Sequence, residues 1–257
     1  MSKPEECRGK LDTATKRWWF FLLYILLQFI PPYTSKVYEP SETSFIVSHI
    51  LANSLMFSCV QVYPIFKVAP ILLMVSLLLL KNRVRRLFSV YAGVTYVLFA
   101  FLQSIAVSES YGIGVIMANL IMFLIVAAFW LWESVAGEND FTARNQSLWR
   151  LCFISLAALA FWFPLNPDTL TPDFNPAYIF TNSAGLAFCM MTPVYLTILI
   201  LYHPRINMAV LRVTSLTGML IGFYNMLHFL NPTGWWLGVL HIPLLATSLY
   251  GFILSFR

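Results

Sequence analysis

Residues 44–80 read SFIVSHILANSLMFSCVQVYPIFKVAPILLMVSLLLL, and how this stretch is read decides the fold. Its one charged group is Lys67, and as a single straight helix it would be about 55 Å long. A bilayer's hydrocarbon core is about 30 Å thick and takes roughly 20 helical residues. The stretch is therefore either two crossings, or one long crossing with a broken, partly interfacial extension around Pro64 and Pro70.

The chain around it is of the same kind. Further apolar stretches cover 18–30, 87–107, 111–132, 148–163, 177–201, 208–230 and 235–256. None shows the alternation of apolar and polar residues that marks a barrel strand, so helices are expected. Of the 257 residues, 59% are hydrophobic and 11% charged, and mean hydropathy is +0.74. A soluble domain carries about 25% charged residues. This excludes a soluble enzyme, a nucleic-acid-binding domain, a disulfide-stapled secreted module and a disordered chain. The fold class expected is an all-α integral membrane protein.

The distribution of Lys and Arg settles the reading of 44–80, because these residues collect in cytoplasmic loops. A single crossing gives eight transmembrane helices with both termini cytoplasmic. The inner side then holds Lys3, Arg8, Lys10, Lys16, Arg17, Lys81, Arg83, Arg85, Arg86, Arg144, Arg150, Arg205, Arg212 and Arg257, and the outer side holds Lys36 alone. A double crossing would put most of these cations outside. Lys67 is left within a span, where its stem is expected to snorkel to the inner interface. The net charge of +5 thus reflects topology and not nucleic-acid binding.

The two halves resemble each other. Each runs from a Trp-bearing apolar segment through a Pro-punctuated outer loop to a long segment with a cysteine and a proline (Cys59 and Pro64; Cys189 and Pro193), then a basic turn and a helix pair. This predicts a cytoplasmic polar tail (1–17), a first four-helix repeat (18–137), a linker (138–147) and a second repeat (148–257). Four helices per half make the repeat parallel, about an axis along the membrane normal. Gly93 would correspond to Gly218, and Gln103 to His228.

Polar groups at membrane depth are the functional leads. In the seventh segment, Thr214, Thr217, Gly218, Gly222, Tyr224, Asn225 and His228 fall within an arc of about 160° at 100° per residue. Thr214, Thr217, Tyr224, Asn225 and His228, with Gln103 from the first half, are the candidate ligand-lining residues; Gly218 and Gly222 permit close helix packing. His49, His228 and His241 come to similar outer depth, and if gathered would offer imidazoles to a transition metal or haem. Otherwise no cofactor is expected. Asp168 and Asp173 read as parts of a solvated, proline-rich turn. Asn145 begins a glycosylation sequon on the cytoplasmic side. The four cysteines have no zinc or redox spacing. Catalytic motifs such as GxSxG or DxxD are absent.

Three functions fit. The first is a permease or channel for a small neutral solute or lipid, running between the halves. The second is a non-catalytic subunit or assembly factor packed among other membrane subunits. The third is a histidine-dependent metal or haem protein. The lipid bilayer is the expected partner, and the inner (plasma) membrane of a prokaryote the expected location.

Overall fold

The fold comes from a computed structural model that describes residues 3–142, 148–232 and 234–257. Arg144 and the Asn145 sequon lie outside these, as does the side chain of Cys7. The described chain is mostly helical. Five helical stretches are long and apolar enough to cross a membrane: Leu55–Arg83, Arg85–Gln103, Met117–Ala136, Met208–Leu230 and Trp235–Leu254. A sixth crossing results if the pair Tyr178–Leu186 and Phe188–Tyr202, bent by 95°, counts as one span. Two further apolar segments, Trp18–Leu27 and Leu148–Trp162, are shorter. Length therefore gives five or six crossings where hydropathy and charge count eight.

The helices are α1 (Lys3–Lys16), α2 (Trp18–Leu27), α3 (Thr43–Ala52), α4 (Tyr63–Leu80), α5 (Arg85–Leu98), α6 (Met117–Ala136), α7 (Cys152–Trp162), α8 (Tyr178–Thr181), α9 (Phe188–Tyr202), α10 (Met208–Asn225) and α11 (Trp235–Leu254). α9 is the centre. Its sequence, FCMMTPVYLTILILY, is apolar all round, and fourteen of its fifteen residues are buried, as such a helix requires. α7, α10 and α11 pack around it. α5 joins through Thr95 to the Tyr195 hydroxyl (2.8 Å) and Tyr96 to the Thr192 hydroxyl (3.0 Å).

α5–α6 and α10–α11 are antiparallel hairpins whose close approach is set by small residues. In the second, Gly218 faces Ser248 and Gly251 faces Ser215, while a Cβ at Gly222 would stand 3.1 Å from the Leu245 Cα. Small residues let helix backbones meet where the surrounding medium supplies no hydrophobic drive.

α4 is peripheral. Only Tyr63, Lys67, Pro70 and Leu77 of its eighteen residues are buried, so α4 and its expected counterpart α9 occupy unlike environments. It rests on α8 and the 3-10 turn Ser183–Leu186. The 44–80 stretch is divided by a break at Asn53–Ser54 and a 3-10 segment, Leu55–Val62.

The chain departs from an all-α fold beyond the end of α5. Residues 104–116, SIAVSESYGIGVI, form a hairpin of β2 (Ile105–Ser108) and β3 (Gly112–Val115), and β1 (Tyr33–Thr34) adds to β3 antiparallel. The flanking helical stretches therefore stop at Gln103 and start at Met117, short of the expected 107 and 111. The cause is local: β-branched residues favour strand, and Gly112 takes φ +65° at the turn. The sheet packs Ala106 and Ile116 on Ile46 and Ile50 of α3. The polar N-terminal segment is also more than a tail, since α1 is helical and buries Thr15.

One tight spot gives a test. A Cβ at Gly185 would stand 2.7 Å from the Phe66 carbonyl carbon, a backbone atom that cannot rotate away. Gly185→Ala should lower stability by about 1–3 kcal/mol through overpacking, read as a lower thermal midpoint in detergent. Gly9→Ala, which meets nothing within 4 Å, should leave the midpoint unchanged or raise it.

Candidate functional site

Irregular backbone gathers at the start of α9. After its 95° bend, α9 begins at Phe188 with Ala187 before it, a residue that has no side chain to cap a helix. The cap comes from elsewhere. α5 ends in a π-helical turn, Phe99–Gln103, and the Gln103 Oε1 accepts the Phe188 N–H at 2.9 Å. Turns of this kind recur at functional sites. From α10, Asn225 donates to the Ile221 carbonyl (2.8 Å) with its amide 3.9 Å from the Cys189 Sγ. Two expected lining residues thus meet the first turn of α9.

The rest of that polar face meets protein. Thr214 accepts the Trp130 indole N–H at 3.1 Å, and Thr217 bonds the Val213 carbonyl (3.0 Å) and lies 3.4 Å from the Tyr24 hydroxyl. Both threonines are fully buried. Gly218 and Gly222 lie in the α10–α11 seam. Tyr224 is 54% exposed and faces outward.

The histidines do not assemble as a trio. His228 and His241 stack with ring centroids 5.8 Å apart, and His241 Nδ1 lies 2.6 Å from the Leu237 carbonyl. His49 is instead held on α3, stacked on Phe45 and edge-on to Tyr111 of the β2–β3 connection. α3 packs on the small sheet, an element that the sequence alone does not announce. Among the described residues no group of three or more His, Cys, Asp or Glu is placed to hold a metal. Asp168 and Asp173 sit in an exposed turn, where Asp173 accepts the Tyr178 hydroxyl at 2.6 Å.

Three buried charged groups carry the strongest interactions, and their signal in the sequence is faint. Lys67 does not snorkel to the inner interface: it is fully buried, donates to the Phe161 carbonyl and covers the Phe161 ring. The end of α7 supplies a better acceptor than a long reach to water. Arg212, expected merely as a cytoplasmic cation, has no exposure. It donates to Asp12 Oδ1 (3.0 Å), Thr15 Oγ1 (2.6 Å) and the Ser255 carbonyl (2.6 Å), and lies over the Phe256 ring. A lone arginine in an apolar helix, with Asp12 and Thr15 three apart on a second helix, is the one clue. Glu133 accepts from the Asn139 N–H (2.8 Å) and the Asn207 amide (2.7 Å). Beside it lies a cavity of about 370 Å³ bordered by Gly9, Asp12, Trp132, Glu138 and Asn207.

Two carboxylates outside the spans are tuned. Burial works to raise the Asp12 carboxyl, but hydrogen bonds and charge from Lys16 and Arg212 outweigh it and hold the group below its ordinary value. Asp140 is held down to about 2 by the Thr142 hydroxyl and amide, with help from Asn82 and Arg205. The stability each carboxylate adds is present above its unfolded value near 4 and is lost as pH falls through the depressed one.

The cluster at the start of α9, Gln103, Asn225 and Cys189, is made of neutral groups already engaged with the chain. It supplies hydrogen bonds. Asp12→Ala leaves Arg212 buried without its carboxylate and should destabilise by at least about 2 kcal/mol. The double variant Asp12→Ala/Arg212→Met, which removes the charge as well, should be more stable than Asp12→Ala alone. Thermal unfolding of the two at neutral pH checks this. No protein-family model, no curated protein and no solved structure matches this chain.

Proposed function

We propose that this protein is a non-catalytic subunit or assembly factor of a larger membrane complex. The observation that carries this reading is the closed interior. Where a pathway between two halves would run, α9 is buried on every side, and Thr214, Thr217 and Gln103 are bonded within the chain. The proposal includes eight membrane segments in two four-helix halves, with both termini on the cytoplasmic side of a prokaryotic inner membrane. Contacts between basic segments support that topology. The α4–α5 turn meets the loop after α6 through Asn82 and Asp140, and that loop meets the turn after α9 through Asp140 and Arg205. Arg150 donates to the His203 carbonyl in the same turn. The basic segments therefore share one end of the molecule.

Extraction in mild detergent followed by native mass measurement tests the proposal. The expected result is a particle well above 29.4 kDa with defined partners at fixed stoichiometry through two orthogonal separations. A bare chain or a homo-oligomer overturns it.

A second reading, a permease for a small neutral solute or lipid, is favoured by the bent α8–α9 pair. Discontinuous helices at membrane depth commonly form transporter binding sites. On this reading Asn225→Leu abolishes flux in proteoliposomes at unchanged folded yield. On the subunit reading the unaltered protein carries no flux to lose.

A further inference from the structure

One side of α4 is exposed along its length. Ile65, Val68, Leu72, Val75 and Leu79 fall within about 80° of arc at 100° per residue, and each is exposed, Leu79 by 74%. The buried residues Tyr63, Lys67, Pro70 and Leu77 take the opposite face. This stripe runs directly into the turn Lys81–Arg83, followed by Arg86 at the start of α5.

The turn is pinned from within by its middle residue. Asn82 donates to Asp140 Oδ1 (2.8 Å) and accepts the Phe141 N–H (2.7 Å). Arg85 lies against Gly137 at the end of α6, its guanidinium 3.2 Å from where a Cβ there would sit. Lys81, Arg83 and Arg86 are exposed, and among the described residues none of their side chains has a hydrogen bond or ion pair. The carboxylate that the turn does touch, Asp140, is occupied by Asn82, Thr142 and Arg205.

We propose that this turn and the α4 stripe form a binding site for an anionic phospholipid: Lys81, Arg83 and Arg86 take the phosphate headgroup, and the stripe from Leu79 back to Val68 takes an acyl chain. Charge complementarity selects the occupant, because three cations within six residues have no anion paired with them among the described residues. The adjoining stripe decides between a lipid and a free anion. α4 has eighteen residues and is about 27 Å long, nearly the full depth of a roughly 30 Å hydrocarbon core, so the part of the stripe next to the turn matches one leaflet's acyl chain, and a soluble phosphate would use none of it. Each cation near a headgroup contributes roughly fivefold in affinity, so losing all three costs about a hundredfold.

The test uses the full-length protein, delipidated in mild detergent and titrated with fluorescent phosphatidylglycerol, phosphatidylcholine or inorganic phosphate. The expected result is at least tenfold tighter binding of phosphatidylglycerol than of phosphatidylcholine. Lys81→Gln/Arg83→Gln/Arg86→Gln should abolish that preference, while Arg17→Gln/Arg257→Gln, a loss of charge at the same end, should keep it. Equal affinity for the two lipids overturns the proposal, as does a preference that survives in the triple variant. Displacement of phosphatidylglycerol by millimolar inorganic phosphate overturns it too, because the site then reads a free anion. Salt gives a measurement on the unaltered protein should the triple variant not fold. Raising sodium chloride from about 50 to 500 mM should weaken phosphatidylglycerol binding at least tenfold and leave phosphatidylcholine binding unchanged; salt-independent binding of phosphatidylglycerol overturns the site.

Discussion

The end of α7 constrains the elements packed around it. From Leu148 to Trp162 this apolar segment has fifteen residues, about 22 Å of helix, and falls short of a 30 Å hydrocarbon core. The last carbonyls of a helix have no partner within it, and in hydrocarbon each such group costs several kcal/mol. Here the deficit is met by two distant side chains. Lys67 takes the Phe161 carbonyl, and the Asn182 amide takes those of Trp162 (2.8 Å) and Phe163 (3.1 Å). Lys67 thereby ties α4 to α7. Asn182 fixes the turn at which the chain bends into α9, and that same residue caps the turn by accepting the Ala184 N–H.

The opposite end follows the same rule with other residues. Arg150 donates to the Ile200 and His203 carbonyls at the close of α9, and Arg212 to the Ser255 carbonyl at the close of α11. Asn207 caps α10 while its amide satisfies Glu133. A cation at a helix C-terminus also meets the negative end of the helix dipole. The charged residues of this chain are few, and three of them, Lys67, Arg150 and Arg212, terminate backbone at helix ends. The side chains of Lys81, Arg83 and Arg86 terminate none and face outward.

This has a functional consequence. In a membrane protein an ionisable or amide side chain at depth is first suspected of handling a substrate, yet here the strongest such groups serve the fold. The closed packing of α9 and the bonded state of the α10 threonines leave the protein's lateral surfaces, and the start of α9, as the places where it can meet something else. A scaffold within a membrane assembly needs no more than well-packed helices and apolar sides.

Much was legible in the sequence. The scarcity of charge and the long apolar runs determine a helical protein with several segments fit to cross a membrane, because no water-soluble core could bury so much apolar surface. The break within 44–80 announces itself by its length. Glycines four apart in the seventh segment mark a close approach, since only a missing side chain permits it. Periodicity, however, reports which face of a helix is apolar and nothing about the neighbour across it. Arg212 reads as one more inner cation until α1 folds over it with Asp12 and Thr15. Lys67 reads as snorkelling until α7 proves too short and offers its carbonyls. His49 reads as a partner of His228 and His241 until a small sheet removes it to α3, and α4 and α9 read as equivalents until only one of them is enclosed. In each case the partner lies dozens to hundreds of residues away, and long-range packing, which one sequence does not encode in any local pattern, decides what a polar side chain is for.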